Sequence, residues 1–213
     1  MSCCKCKRDF NTDKFKEWLS HLNVDQPGTK FCKKDGEESE TYCYINGNLK
    51  GQIIVWNNSI VEEIIFDQST DTDEQVFYLH YEMEDCDQIK DLVKSFQNRM
   101  FCVCQKEYEI TEDPHERNIL LCCSSALTTT LFADMLQKYS ENNNLPYHFS
   151  ATSIYDQNML SQDFDLVLMA PQVQHHTKET AEKYHKRFLN MNPTDFASYN
   201  CQNIISRVQE AYI

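Results

Sequence analysis

Apolar positions change their period twice along the first half of the chain. Phe15, Trp18, Leu19 and Leu22 recur at helical spacing over residues 13–22, with Asn11 or Thr12 placed to cap the first turn. A polar stretch follows from Asp25 to Glu40, with Pro27-Gly28 and Asp35-Gly36 as turn signals. From Thr41 the period shortens to that of strands. Tyr42–Ile45, Gln52–Trp56, Ile60–Phe66 and Gln75–Tyr81 are rich in aromatic and β-branched residues. Asn46-Gly47 and Asn57-Asn58 separate the first three of these runs and tolerate the positive φ that tight hairpins need. Ile89, Leu92, Val93 and Phe96 then return to helical spacing. The pattern predicts a helix, an antiparallel meander and a second helix: a small α+β domain.

Residues 105–117 (QKEYEITEDPHER) are polar and contain Pro114, so the domain boundary is expected here, with domains at 1–112 and 113–213. Beyond it short apolar runs alternate with helical ones. Strands are expected at 118–122, 147–151, 165–169 and 188–191. Helices are expected at 127–139, with Leu131, Met135 and Leu136 on one face, at 175–185 and at about 201–211. Buried strands separated by helices imply an α/β domain, a four-stranded parallel sheet flanked by helices. Ligands of such sheets sit at the carboxyl ends of strands, which directs attention to the loop that begins at Cys122.

Composition narrows the function classes. The 213 residues carry 20 Lys and Arg against 33 Asp and Glu, a formal charge of −13, which opposes phosphate-backbone binding and hence a nucleic-acid partner. The imbalance is concentrated in residues 1–112, with 13 basic against 22 acidic residues; the remainder has 7 against 11. The N-terminus, MSCCKCKRDF, lacks an apolar core of the signal-peptide type, so a cytoplasmic protein with mostly reduced thiols is expected. Of the 11 cysteines, Cys3, Cys4 and Cys6 cluster, as do Cys102 and Cys104, but neither group completes a finger-like ligand set and no metal is expected. In the first half, Asp71, Asp73 and Glu74 read as a solvated acidic turn. His80 reads as a packed or edge residue sharing a strand face with Tyr78.

The segment Leu121-Cys-Cys-Ser-Ser-Ala-Leu-Thr-Thr-Thr130 runs from a strand end into a helix. A thiol facing a helix N-terminus is where the helix dipole and free N–H groups favour a thiolate. The same N–H groups can cradle a dianionic phosphate. Cys122 is the candidate nucleophile, with Cys123, Ser124, Ser125, Ala126, Leu127, Thr128 and Thr129 as the phosphate-binding loop. Tyrosine phosphatases of low molecular weight place an arginine six residues after their cysteine. Here Thr128 and Thr129 hold the positions six after Cys122 and Cys123, so the bidentate clamp that supports hydrolysis is missing.

Ile119–Met135 (ILLCCSSALTTTLFADM) resembles the active-site segment of the enzyme IIB components of the lactose/cellobiose class of the bacterial sugar phosphotransferase system. Phe164–Val173 (FDLVLMAPQV) is similar to that family's Asp-hydrophobic-Pro-Gln signature, and Asn192–Tyr199 (NPTDFASY) to a segment near its last helix. The three stand in family order across residues 117–212. The resemblance implies a four-stranded parallel sheet and a phosphocysteine relay needing no cofactor. A histidine-phosphorylated IIA partner gives its phosphoryl group to the cysteine, and a sugar presented by a membrane IIC permease receives it. Cys122 is taken as the match to the phosphorylated cysteine, with Cys123 just after it. Pro171, Gln172 and His175 are taken as the site's border. The implied substrate is a β-linked disaccharide such as cellobiose or lactose, and the implied location is cytoplasmic, beside the permease.

The chain departs from the family twice. Ser125 and Ala126 stand where many members carry a glycine, and His175 stands where a tyrosine is frequent. These departures, with the extra acidic domain, leave open a second role: a regulatory or sensor protein with a IIB-like domain.

Overall fold

The structure is a computed structural model describing residues 11–22, 28–69, 72–84, 86–101, 115–124 and 127–212. Residue contacts divide the chain into two units, Met1–Cys104 and Gln105–Ile213. The expected boundary at 112/113 falls outside the described residues, as do the two cysteine clusters, Asp71, Ser125 and Ala126.

The first unit begins with α1 (Thr12–Ser20), capped by the Asn11 side chain, which accepts from the Lys14 N–H at 3.0 Å. A five-stranded antiparallel meander follows: β1 (Lys30–Asp35), β2 (Ser39–Asn46), β3 (Leu49–Trp56), β4 (Ile60–Asp67) and β5 (Glu74–Glu82), in that spatial order. The polar stretch before Glu40 therefore contains a strand that its composition hides. β1 is exposed at every position, so no apolar alternation marks it, and its backbone pairing with β2 creates it. Gly47 supplies positive φ in the β2–β3 turn (+57°). In the β3–β4 turn Ser59 takes that conformation (+67°), rather than Asn57 or Asn58.

One sheet face is buried through Tyr42, Tyr44, Ile53, Val55, Val61, Ile65, Phe77, Leu79 and Tyr81. The helices contribute Phe15 and Leu19 from α1, and Ile89, Leu92, Val93, Phe96 and Met100 from α2 (Cys86–Phe101). Phe96 meets Tyr44 and Phe77 edge-on, at 5.7 and 6.0 Å between ring centroids. Glu63 lies in this same core.

The second unit is a four-stranded parallel sheet in the order β7-β6-β8-β9, made of β6 (Arg117–Cys123), β7 (Tyr147–Ser153), β8 (Leu166–Met169) and β9 (Phe188–Asn190). The central strands β6 and β8 are buried almost throughout and read as continuous apolar runs, as parallel strands covered on both faces do. The connections hold α3 (Leu127–Asn142), α4 (Gln157–Ser161), a 3₁₀ turn (Pro171–His176) and α5 (Thr177–Tyr184). α6 (Pro193–Ala197) and α7 (Cys201–Glu210) close the chain. The helix expected from 175 begins instead as that 3₁₀ turn, two residues past the end of β8.

The buried face of α3 also differs from expectation. Phe132, Ala133 and Leu136 are buried, whereas Leu131 is 54% and Met135 36% exposed. Phe132 packs edge-on against Phe196 and Tyr199, at 5.6 and 5.4 Å. This aromatic contact, made by residues more than 60 positions further along the chain, sets the helix's rotation.

Candidate functional site

After β6 the chain pairs β7 on one side, then crosses to place β8 on the other. The carboxyl ends of β6 and β8 therefore form a switch point, the place where ligands of such sheets bind. The backbone ties the exits together there. The Ala170 N–H donates to the Cys122 carbonyl at 2.8 Å, and the Ile154 N–H to the Cys123 carbonyl at 2.7 Å. The Ser153 hydroxyl donates to the Ser124 carbonyl at 2.8 Å.

Successive side chains of a strand point to opposite faces, so Cys122 and Cys123 part company. Cys122 has no exposed surface, and its thiol is pushed up to about 12, first by burial and then by the neighbouring Cys123. Cys123, the last residue of β6 and 1% exposed, faces α3, and its Sγ lies 3.0 Å from Thr129 Oγ1. Thr129 sits in the first turn of that helix and is itself fully buried. The sulfur set against the first turn of the helix is thus that of Cys123, and among the described residues Cys122 makes no such contact. The choice between adjacent cysteines depends on which face of β6 the helix covers, which no local pattern states.

Among the other expected phosphate-loop residues, Ser124 and Thr128 are half-buried, and only the backbone of Leu127 is described. Ser125 and Ala126 lie outside the described residues. At the expected border, Pro171 is buried and starts the 3₁₀ turn. Gln172 is half-buried, with its Oε1 enclosed and lacking a hydrogen-bond partner among the described residues. His175 is exposed, its ring 3.9 Å from that of His176.

A cleft of about 200 Å³ opens between the exit of β7 and α5. Ile154, Tyr155, His176, Glu179, Lys183 and Tyr184 are among its lining residues. It adjoins the site through Ile154, which is hydrogen-bonded to Cys123. Sequence reasoning passed over it, although Tyr155, a large aromatic residue just past a strand end, was the available signal.

This layout can be set beside known proteins. Residues 118–207 match the family model of the PTS system, Lactose/Cellobiose specific IIB subunit. The match lies wholly in the second unit, and that IIB-like stretch runs from β6 into α7. Two solved structures are similar to it. The lactose-specific IIB component domain of the phosphoenolpyruvate:carbohydrate phosphotransferase system from Streptococcus pneumoniae is 16% identical, with 46% of this chain and all of that one covered and a TM-score of 0.41. The cellobiose-specific phosphotransferase IIB component protein from Borrelia burgdorferi is 23% identical, covering 47% and 94%, with a TM-score of 0.39. No curated protein matches the chain. Among the described residues, no helix is long and apolar enough to cross a membrane.

Proposed function

We propose that the IIB-like domain is a phosphoryl carrier of a sugar phosphotransferase system and that Cys123 takes the phosphate. The observation that carries this reading is a coincidence of position. The stretch matching the IIB family model contains, at the end of its first strand and at the sheet's switch point, a thiol set against a helix's first turn. A phosphohistidine of a IIA-type partner is the donor. The Cys123 thiol gives its proton to solvent, its sulfur attacks the phosphorus, and the P–N bond breaks as the S–P bond forms, the bonding pair returning to the partner's imidazole nitrogen. The phosphoryl group then passes to a sugar, a β-linked disaccharide, held by a IIC-type permease.

Such a transfer asks for positioning and charge stabilisation. The Thr129 hydroxyl, in the first turn of α3, supplies a donor beside the Cys123 sulfur. The positions six after each cysteine are threonines, so no arginine clamp assists hydrolysis there. Cys122, the acceptor expected from the sequence, points to the opposite face of β6 from the thiol that meets Thr129.

The test is intact-mass and peptide analysis after incubation with phosphoenolpyruvate, the general phosphotransferase proteins and a IIA partner. One phosphate is expected, on Cys123; Cys123→Ser abolishes it and Cys122→Ser retains it. A label that survives Cys123→Ser and vanishes in Cys122→Ser returns the role to Cys122. Absence of label across several IIA partners, in folded protein, favours the sensor reading. The acidic first unit, which the family match does not reach, is the observation behind that alternative.

A further inference from the structure

The first unit holds a pair of thiols that the carrier reading does not use. Cys32 on β1 and Cys43 on β2 are direct cross-strand partners. Directly opposed residues of antiparallel strands project from the same face. Such partners have Cα atoms about 4.5–5.5 Å apart, inside the roughly 4.4–6.8 Å that a disulfide spans. Both thiols are free in this structure.

Their surroundings are unequal. Cys32 is exposed on an edge strand whose every residue is exposed, whereas Cys43 is 7% exposed, its Sγ 3.9 Å from Gln52 Nε2 on β3. One residue of the pair meets solvent and its neighbour is buried. This is the arrangement of an attacking and a resolving thiol.

We propose that Cys32 and Cys43 form a dithiol modification site, oxidised by peroxides to a disulfide that staples the edge strand β1 to β2. The chemistry takes two steps. The Cys32 sulfur attacks one peroxide oxygen and the O–O bond breaks. Cys32 becomes a sulfenic acid, and the other oxygen leaves as water once protonated. The Cys43 sulfur then attacks the Cys32 sulfur, the S–S bond forms and the S–O bond breaks. The departing hydroxide takes the Cys43 proton and leaves as a second water. Two electrons pass from the two sulfurs to the peroxide, and a small dithiol reductant reverses the change. Closure joins neighbours already in register.

The test exposes the reduced full chain to hydrogen peroxide, blocks remaining thiols with N-ethylmaleimide and digests it without reductant. The expected product is a peptide pair joined through Cys32 and Cys43, lighter by two hydrogens and restored by dithiothreitol. Backbone amides of β1 should exchange more slowly in the oxidised protein. In Cys43→Ser the Cys32 sulfenic acid persists and is trapped by dimedone. In Cys32→Ser, a change at an exposed position, Cys43 remains a thiol after the same treatment. The proposal is overturned if dimedone labels Cys32 in the native chain while Cys43 stays reduced, or if Cys32 is recovered joined to another cysteine. The Cys32→Ser arm decides the matter even if Cys43→Ser does not fold.

Discussion

A thiol in a low-dielectric interior holds its proton because the thiolate loses more solvation than the neutral group. Cys122 is in that position, its thiol pushed up to about 12 chiefly by burial. Its alkylation by iodoacetamide in folded protein should stay slow through neutral pH and rise only toward strongly alkaline conditions, whereas the exposed Cys32 reacts early. Site-resolved mass spectrometry against pH checks this. Rapid labelling of Cys122 near pH 7 would favour it over Cys123 as the nucleophile. The adjacent pair also marks how far sequence reading reached. The loop, its hydroxyls and its missing arginine were legible because they are local. Which of the two thiols lies against α3 was not, because strand alternation makes the two positions opposite only once the helix has chosen a face.

Elements show the same dependence on what lies across from them. Helix α3 was visible from its apolar positions, yet its rotation was misjudged. Leu131 and Met135 satisfy a helical stripe as well as Phe132 and Leu136 do, and the contacts with Phe196 and Tyr199 select the latter. Phe132→Ala should therefore cost the second unit about 3–5 kcal/mol, while Leu131→Ala should change its stability by no more than about 0.5 kcal/mol. Urea titrations followed by circular dichroism distinguish these values. Reversal of the two would put the expected stripe back in the core.

In the first unit, Gly51 on β3 lies beneath α2. A Cβ there would meet Phe96 Cζ at 2.6 Å and Met100 Sδ at 2.7 Å. The methionine can swing aside, but the buried phenylalanine ring has little room. Gly51→Ala should destabilise this unit by about 1–3 kcal/mol through overpacking. Trp18 and Trp56, the chain's two tryptophans, both belong to the first unit, so their fluorescence reports its unfolding separately. A neutral result would mean that α2 moves away from the sheet at no cost.

At the scale of the whole molecule, the described carboxyls of the first unit lie mainly on its surface, but one among them does not. Glu63 is fully buried between sheet and helices. It accepts from the Tyr81 hydroxyl at 2.6 Å, and its Oε2 has no hydrogen-bond partner among the described residues. Burial raises it from the ordinary 4.5 to about 8, against the smaller opposing effect of the Tyr81 hydrogen bond. The folded state thus holds this proton more tightly than the unfolded chain. Its contribution to stability is fully present below about 4.5 and is lost as the pH climbs to about 8. Tryptophan-monitored unfolding should show the first unit weakening across that window, and Glu63→Gln should remove this part of the slope. An unchanged slope in that variant would assign the dependence to other groups.

Much of the architecture followed from the chain alone. The meander, the change to strand–helix alternation near residue 115 and the sheet carrying the Cys122–Thr129 segment are written in periods of two and 3.6, because an element must bury one face or stripe whatever covers it. The resemblance of residues 117–212 to the IIB family was legible for a related reason: its motifs are short and occur in order. Tertiary structure decided what depends on a distant partner. β1 exists because β2 offers it a ladder, α3 turns toward Phe196 and Tyr199, and Glu63 enters a core that its charge alone would forbid. The thiol facing the helix is likewise chosen by the packing of α3 on β6, since sequence spacing states which residues are neighbours along a strand and only the fold states which face is covered.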